Sequence, residues 1–279
     1  MYRTRRRYPW LIAFVLFGTA PLVWADLVFT SPPREQNSNE GGDIYVPIAE
    51  YFSKLLGRKV VYHNPGNWLT YQKEMRSGLY DIVFDGPHFN SWRTVHVDHE
   101  VLVRLPGSIE FLVVANTNSA ISRLEDLVGA NICSISPPNL GTMLLLDKFR
   151  NPVRQPVVKS IKGETAEVYK AFKDGQCKAA VLRTIFYNNN TKVTDGERKQ
   201  LKVLFNSAAL PNQGISVSNR ITTAEKKLIQ KDITAGEGSN VFEKLVNRYG
   251  QKNDKAFVIT NNQEYQGINM LLEGVIYGW

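Results

Sequence analysis

The sequence predicts an α/β protein made of two doubly wound lobes that are joined by a hinge. Short apolar runs of β character alternate with amphipathic helical patterns, which is typical of βαβ units around a parallel sheet. The order strand, loop, helix, strand, helix, strand occurs twice. Two consecutive strand-like runs at 101–104 and 109–115 interrupt the alternation between the two units. We therefore assign residues 26–115 and 216–279 to the first lobe and residues 116–215 to the second.

The first unit can be followed from its apolar periodicity. A first strand leads into a long polar loop at 31–43, which is interpreted either as a cleft lid or as a solvated loop. The amphipathic helix that follows ends at Gly57, and Asn67 is placed to cap the next helix. The predicted bounds are strands at 27–30, 59–62 and 80–84 and helices at 44–56 and 68–76.

The second unit begins after a polar linker at 116–119, where Ser122 can cap a short helix. The remaining pattern alternates again, and the tail of the chain is helical. The predicted strands are 130–135, 156–161, 178–182, 202–205 and 214–218, and the predicted helices are 140–149, 164–173, 222–234, 240–248 and 263–272.

The first 25 residues have the pattern of a secretory signal peptide. Four arginines precede an apolar core at 10–17, and Ala25 ends an acceptable small-residue cleavage site. An uncleaved N-terminal anchor is the alternative. Cleavage after Ala25 removes four arginines and no acids, so the formal charge of +8 becomes +4. This mild excess contains no block of basic residues, so it is weak evidence for nucleic-acid binding and fits a small anionic ligand equally well.

The chain contains two cysteines, Cys133 and Cys177. An even pair in an exported protein suggests a disulfide, and the two strands that carry these residues are candidates for neighbours in a parallel sheet. We therefore predict a Cys133–Cys177 disulfide inside the second lobe. Neither cysteine is placed as an exposed nucleophile, and the sequence has no nucleophile elbow, Walker loop or dinucleotide fingerprint. These observations favour a binding protein over an enzyme, and no cofactor is predicted.

Polar residues follow the strand at 80–84 in the first lobe. Ligands of open α/β sheets bind beyond the carboxyl ends of the strands, and Asp85 and His88 lie at such an end. Pro87 fixes the first turn of the next helix, whose free N–H groups favour an anion. A simple helix start with Asp85 as its cap is the alternative. Tyr45 and Trp68 are further candidates for ligand contact, although an aromatic residue on an amphipathic helix is more often part of the core.

The second lobe has a matching strand end. Ser136, Asn139 and Thr142 offer two hydroxyls and an amide at the start of a helix, which would suit an oxyanion, or would cap the helix and nothing more. Arg183 follows the strand at 178–182, where its guanidinium would bind a carboxylate or phosphorus oxyanion, or would form a salt bridge between loops.

Three histidines raise the alternative of a metal site. His96 and His99 are three residues apart and His88 is nearby, but no cysteine pair or zinc-binding motif accompanies them. A polar helix end is the preferred interpretation, and no metal is predicted.

Several segments together resemble the type 2 periplasmic substrate-binding proteins of ABC transporters, in the phosphonate, phosphate and phosphite branch. The similarity spans nearly all of the chain after the signal peptide, in order. The segments are Tyr45-x-Pro47-x-x-x-Tyr51, Met75-Arg76-Ser77-Gly78, Tyr80-Asp81-Ile82-Val83-Phe84-Asp85-Gly86-Pro87, Leu124-Glu125-Asp126-Leu127-Val128-Gly129, Gly175-Gln176-Cys177-Lys178-Ala179-Ala180-Val181 and Leu210-Pro211-Asn212-Gln213.

This resemblance implies a monomeric periplasmic protein that captures a small oxyanion between its lobes and presents it to a membrane permease. The ligand-binding residues would be Tyr45, Trp68, Asp85, His88, Ser136, Asn139, Thr142 and Arg183. A component that reports the ligand to a membrane sensor, or a metal-binding protein on the same fold, is the alternative. The loop at 136–142 has fewer hydroxyls than many members of the branch, and Arg183 stands where an acidic residue would suit a ligand that carries an amine. Both departures argue against an aminoalkylphosphonate.

Overall fold

The computed structural model describes residues 25–34, 38–236, 238–250 and 256–273. The predicted signal peptide lies outside these residues except for Ala25, and so does part of the predicted lid. The strands are β1 (Leu27–Thr30), β2 (Val60–Tyr62), β3 (Ile82–Asp85), β4 (Glu100–Arg104), β5 (Ser108–Ile109), β6 (Phe111–Asn116), β7 (Asn131–Ser134), β8 (Val157–Ser160), β9 (Ala179–Arg183), β10 (Leu201–Asn206), β11 (Leu210–Pro211), β12 (Gly214–Val217) and β13 (Val258–Ile259).

The helices enclose these strands. They are α1 (Ser38–Leu56), α2 (Trp68–Arg76), α3 (Pro87–His96), α4 (Leu140–Leu146), α5 (Thr165–Lys173), α6 (Thr184–Tyr187), α7 (Asp195–Lys199), α8 (Thr223–Ala235), α9 (Gly238–Val241), α10 (Glu243–Tyr249) and α11 (Met270–Glu273), with 3-10 helices at Leu124–Leu127 and Asn262–Tyr265. Within the described ranges, no helix combines the length and apolar character needed to cross a membrane.

The two main sheets have the same strand order. The first sheet runs β2-β1-β3-β12-β4-β13 and the second runs β8-β7-β9-β6-β10. In each sheet, the first three strands of the unit are parallel, and the fourth position is taken by an antiparallel strand, β12 beside β3 and β6 beside β9. This arrangement confirms the predicted pair of doubly wound lobes.

Strand β6 lies in the second sheet, whereas the predicted boundary assigned residues up to 115 to the first lobe. Its residues pair with β9 on one side and with β10 on the other. Strand β12 makes the reverse crossing, since Gly214 and Ile215 pair with β3 although the predicted boundary assigned them to the second lobe. An apolar strand has the same sequence pattern in either sheet, so the periodicity located both strands without revealing which sheet each one joins.

Two described segments of the chain pass from one sheet to the other, and they pair with each other. The short strands β5 and β11 form a separate two-stranded sheet between the main sheets. The Asn212 side chain donates to the carbonyl of Pro106 at 2.9 Å, and the Tyr265 hydroxyl donates to the carbonyl of Asn212 at 3.0 Å. These contacts tie both crossings together, which is the geometry that a hinge requires.

The disulfide prediction is confirmed. Cys133 on β7 is bonded to Cys177, which lies just before β9, with a Cα–Cα distance of 5.5 Å. The two strands are parallel neighbours, and Cys133 pairs in register with Ala180. Both cysteines are buried in the second lobe, in a cluster that includes Tyr169 and Phe172 of α5.

Local sequence signals account for much of the first lobe. The Asn67 side chain accepts a hydrogen bond from the Thr70 amide and begins α2, as predicted. Helix α1 begins at Ser38, earlier than the predicted start at residue 44. At the C-terminal end, α10, the short strand β13 and a 3-10 helix partly replace the long helices that were predicted.

Candidate ligand-binding cleft

The strand order of each sheet defines a point where a ligand can bind. In the first sheet the chain passes from β1 to β2 on one side and then to β3 on the other, and in the second sheet it passes in the same way from β7 to β8 and then to β9. In open α/β sheets, ligands bind at such a switch point, here the carboxyl ends of β1 and β3 and of β7 and β9. We call residues 85–88, after β3, the first-lobe loop and residues 136–142, after β7, the second-lobe loop. Ser136 and Arg183 each lie three residues beyond the paired Cys133 and Ala180, so both reach the same edge of the second sheet.

Asp85 is fully buried and its carboxylate is already engaged. Arg93 of α3 donates to Oδ2 at 2.9 Å, and the Tyr71 hydroxyl donates to the same oxygen. The Gly86 amide donates to Oδ1 at 2.6 Å, and a guanidinium nitrogen of Arg34 lies 3.4 Å from Oδ1. Two cations, a hydroxyl and an amide therefore surround Asp85, so it orders the first-lobe loop rather than offering an open acceptor to a ligand.

Arg34 connects this cluster to the hinge. Its side chain is one-quarter exposed, donates to the Gln213 side chain just beyond β11, and lies over the ring of Tyr249 with its guanidinium carbon 5.2 Å from the centroid. Arg93, in contrast, is almost completely buried and also donates to the Tyr71 hydroxyl. Burial, together with the Asp85 carboxylate, raises the Tyr71 pKa well above its usual value, although Arg93 opposes this shift. Tyr71 therefore remains a neutral hydrogen-bond donor.

His88 connects the two lobes directly. It is 4 % exposed, and its Nε2 lies 2.9 Å from the carbonyl oxygen of Pro138 in the second-lobe loop. Burial lowers the His88 pKa to about 4, although Asp85 and the Pro138 carbonyl act in the opposite direction. The imidazole is therefore neutral near pH 7. A carbonyl can only accept, so Nε2 carries the proton and its N–H is used by Pro138.

The second-lobe loop uses most of its own polar groups. The Asn139 side chain accepts from the amides of Gly141 and Thr142, which makes it the cap of α4. The buried Thr142 hydroxyl donates to the carbonyl of Ile135 and also contacts the Ser134 hydroxyl. Ser136 is exposed and bonded to the Ser160 hydroxyl. Of the three predicted oxyanion donors in this loop, Ser136 is therefore exposed, Asn139 is partly exposed and Thr142 is buried.

Arg183 differs from the other arginines of the cleft. It ends β9 and is partly buried, and within the part of the chain that the structure describes its guanidinium makes no hydrogen bond and no ion pair. Burial lowers the Arg183 pKa, and the nearby Glu164 only partly opposes this shift. Arg183 is therefore a cation at the edge of the second sheet whose only acidic neighbour among the described residues is Glu164, with which it forms no ion pair.

The sequence matches a family model over residues 32–265, that of the phosphonate-binding periplasmic substrate-binding proteins of ABC transporters. The chain belongs to this family. The resemblance noted from the sequence is thereby confirmed. A search of curated proteins finds no match.

Solved structures share the fold of this phosphonate-binding family member at low sequence identity. A Xanthomonas citri protein, XAC2383, bound to ATP aligns with 12 % identity and a TM-score of 0.66, covering 90 % of this chain and 100 % of that one. PhnD1 of Prochlorococcus marinus, in complex with methylphosphonate, aligns with 15 % identity and a TM-score of 0.59, covering 89 % and 97 %. A phosphonate-transporter binding protein of Pseudomonas aeruginosa, PA3383, aligns with 18 % identity and a TM-score of 0.56, covering 88 % and 85 %.

The predicted aromatic contacts divide between the core and the cleft. Tyr45 is 1 % exposed and stacks on Tyr62 with a centroid distance of 5.3 Å, so the structure places it in the first-lobe core. Trp68 is partly exposed and stacks on Phe89, the residue after His88, with a centroid distance of 5.8 Å. Trp68 therefore borders the first-lobe loop, whereas the Tyr45 ring is packed away from solvent.

The three histidines considered for a metal have separate partners. His96 bonds to Glu273 at 2.6 Å, and His99 is buried between the Tyr80 carbonyl and the Ser216 hydroxyl. Burial lowers the His99 pKa to about 3. In the described ranges no cluster of three or more histidine, cysteine or acidic side chains is arranged to hold a metal.

Sequence reasoning overlooked the arginines around Asp85. Helix α3 is buried from Pro87 to Arg93, and an arginine on a fully buried helix face needs a carboxylate partner. Asp85 immediately precedes that helix, so the pairing with Arg93 had a local signal. Arg34 had none, because its contact with Gln213 joins residues 179 positions apart.

Proposed function

We propose that this chain captures a small phosphorus oxyanion, a phosphonate or phosphate, between its two lobes in the periplasm and presents it to the permease of an ABC transporter. The observation that carries the proposal is Arg183, a partly buried guanidinium at the strand ends of the second lobe that forms no hydrogen bond or ion pair with the described residues and has only Glu164 as a nearby acid. A tetrahedral oxyanion matches the fork of a guanidinium and would remove its desolvation cost.

The charge of the first-lobe crevice supports the same ligand class. Arg34 and Arg93 face a single carboxylate, that of Asp85, which leaves an excess of one positive charge. Arg183 adds a second from the opposite lobe. The bound ligands of the structural neighbours, ATP in XAC2383 and methylphosphonate in PhnD1, are also phosphorus oxyanions. An ammonium group gains little here, because the Asp85 carboxylate is already surrounded by donors.

Contacts from both lobes are what allow a ligand to favour the closed arrangement. Arg183 and Ser136 belong to the second lobe, whereas Arg34 and the first-lobe loop belong to the first. The bond between His88 and Pro138 already joins the two loops, so a ligand held between them adds to a contact that exists only when the lobes are close.

The proposal is tested with the mature protein from Asp26 onward. Native mass spectrometry of material from the periplasm identifies a retained ligand, and titration calorimetry measures methylphosphonate and inorganic phosphate. We expect one phosphorus oxyanion bound per chain. A protein that retains zinc and binds neither anion would overturn the proposal.

A further inference from the structure

The imidazole of His88 has one nitrogen whose role is unassigned. Nδ1 is buried and has no hydrogen-bond partner among the described residues. The other ring nitrogen is fixed as the donor, because its partner is the Pro138 carbonyl at 2.9 Å. A neutral imidazole has one N–H, so Nδ1 presents a lone pair and can only accept a hydrogen bond. Buried acceptors in native proteins rarely stay unpaired, so Nδ1 requires a donor from another molecule.

The surroundings of Nδ1 supply no such donor. The backbone amide of Gly86, two residues before His88, donates to Asp85. A side chain at residue 86 would place its Cβ 3.2 Å from Nδ1 and 3.0 Å from Cε1, so any residue larger than glycine would press against this side of the ring. The charged groups that influence His88 are Asp85, Arg34 and Arg93, and both arginines are bound to Asp85. Nε and Nη1 of Arg93 are buried without a partner among the described residues, and they do not reach Nδ1 within hydrogen-bond distance.

We propose that His88 is a specificity-determining residue, whose Nδ1 accepts the hydrogen of a P–OH group so that the cleft selects oxyanions that still carry a proton. This inference rests on the proposed function, with Arg183 binding the ionised oxygens of the same ligand. The two lobes then recognise different groups of one ligand: the guanidinium binds acceptor oxygens, and the imidazole nitrogen binds a hydroxyl donor.

The consequence is discrimination between phosphorus and sulfur oxyanions of equal charge and similar shape. Hydrogen methylphosphonate and methanesulfonate are both tetrahedral monoanions, but only the first has an O–H to donate. Methanesulfonate would place an oxygen lone pair against the lone pair of Nδ1. A site built to bond a ligand hydroxyl rejects the analogue that lacks it, and we expect at least roughly a 100-fold weaker affinity.

Titration calorimetry with both ligands at about pH 6, where a phosphonate retains much of its second proton, measures the ratio of the two affinities directly. His88 is neutral at that pH because burial holds its pKa near 4. Strong binding of methylphosphonate with weak binding of methanesulfonate is the expected result. Equal binding of the two would overturn the inference while leaving an oxyanion-binding protein, and would mean that Nδ1 meets a water molecule. Failure of both to bind would instead overturn the proposed function.

The variant His88→Gln tests the two ring nitrogens separately, because the glutamine amide can still donate to Pro138 while the Nδ1 acceptor is lost. We expect the affinity ratio of methylphosphonate to methanesulfonate to fall at least tenfold. The matched control is His96→Gln on the same helix, where the ring is partly exposed and bonded to Glu273, and there the ratio should not change. A folded His88→Gln protein with the same affinity ratio as the parent would contradict the inference. If the variant does not fold, the affinity ratio measured for the parent protein decides the test.

Discussion

Replacing Arg183 by methionine is expected to weaken anion binding without destabilising the free protein. Methionine keeps an unbranched stem but removes the guanidinium. One charge-assisted hydrogen bond contributes about 1.5–3 kcal/mol, which corresponds to a dissociation constant roughly 10- to 150-fold weaker. The free energy of unfolding should be nearly unchanged, because this partly buried cation forms no hydrogen bond or ion pair with the described residues and loses only a long-range attraction to Glu164.

The assay pairs calorimetry on methylphosphonate with urea denaturation of the ligand-free protein. Arg198 in the same lobe is the matched control, since it donates to the carbonyls of Tyr187 and Val193 at 2.9 and 2.6 Å and contacts Asp195. Arg198→Met should therefore show the opposite pattern, with binding retained and stability reduced by about 1–3 kcal/mol for the orphaned carbonyls. If Arg183→Met loses stability and keeps parental binding, Arg183 is a structural residue and the reasoning fails.

Three further predictions concern the scaffold. Replacing Cys133 and Cys177 by serine should lower the free energy of unfolding by about 4 kcal/mol in the chain-entropy account of a 44-residue separation, and reductant should then have no effect on denaturation midpoints. Asp85→Asn leaves Arg93 buried without its carboxylate and should cost about 3–5 kcal/mol in urea denaturation; a loss below 1 kcal/mol would contradict the pairing. The folded-state pKa of His99 is depressed to about 3, so the unfolded chain binds the extra proton and stability falls by up to about 1.4 kcal/mol per unit as pH drops from 6.5 towards 3. Unfolding of His99→Gln followed from pH 6.5 to 4 should show a correspondingly smaller slope.

The parts of the fold that depend on local pattern could be predicted from the sequence. The alternation of strands and helices, the Asn67 cap and the position of the two cysteines on neighbouring strands are all visible within short windows. The exchange of β6 and β12 between the sheets was not predictable in this way. Both strands are buried over most of their length, and only the pairing partners distinguish the two topologies.

The chemistry of the candidate site depends even more on distant contacts. The sequence placed Asp85 and His88 at a strand end and expected both to meet a ligand. The structure gives Asp85 two arginine partners, one of them brought from the first loop of the chain. For His88, the proton position is decided by a carbonyl 50 residues away in the opposite lobe. The sequence alone does not decide which nitrogen of a neutral histidine carries the proton. The Pro138 carbonyl on the opposite lobe makes Nε2 the donor, which leaves Nδ1 as the acceptor.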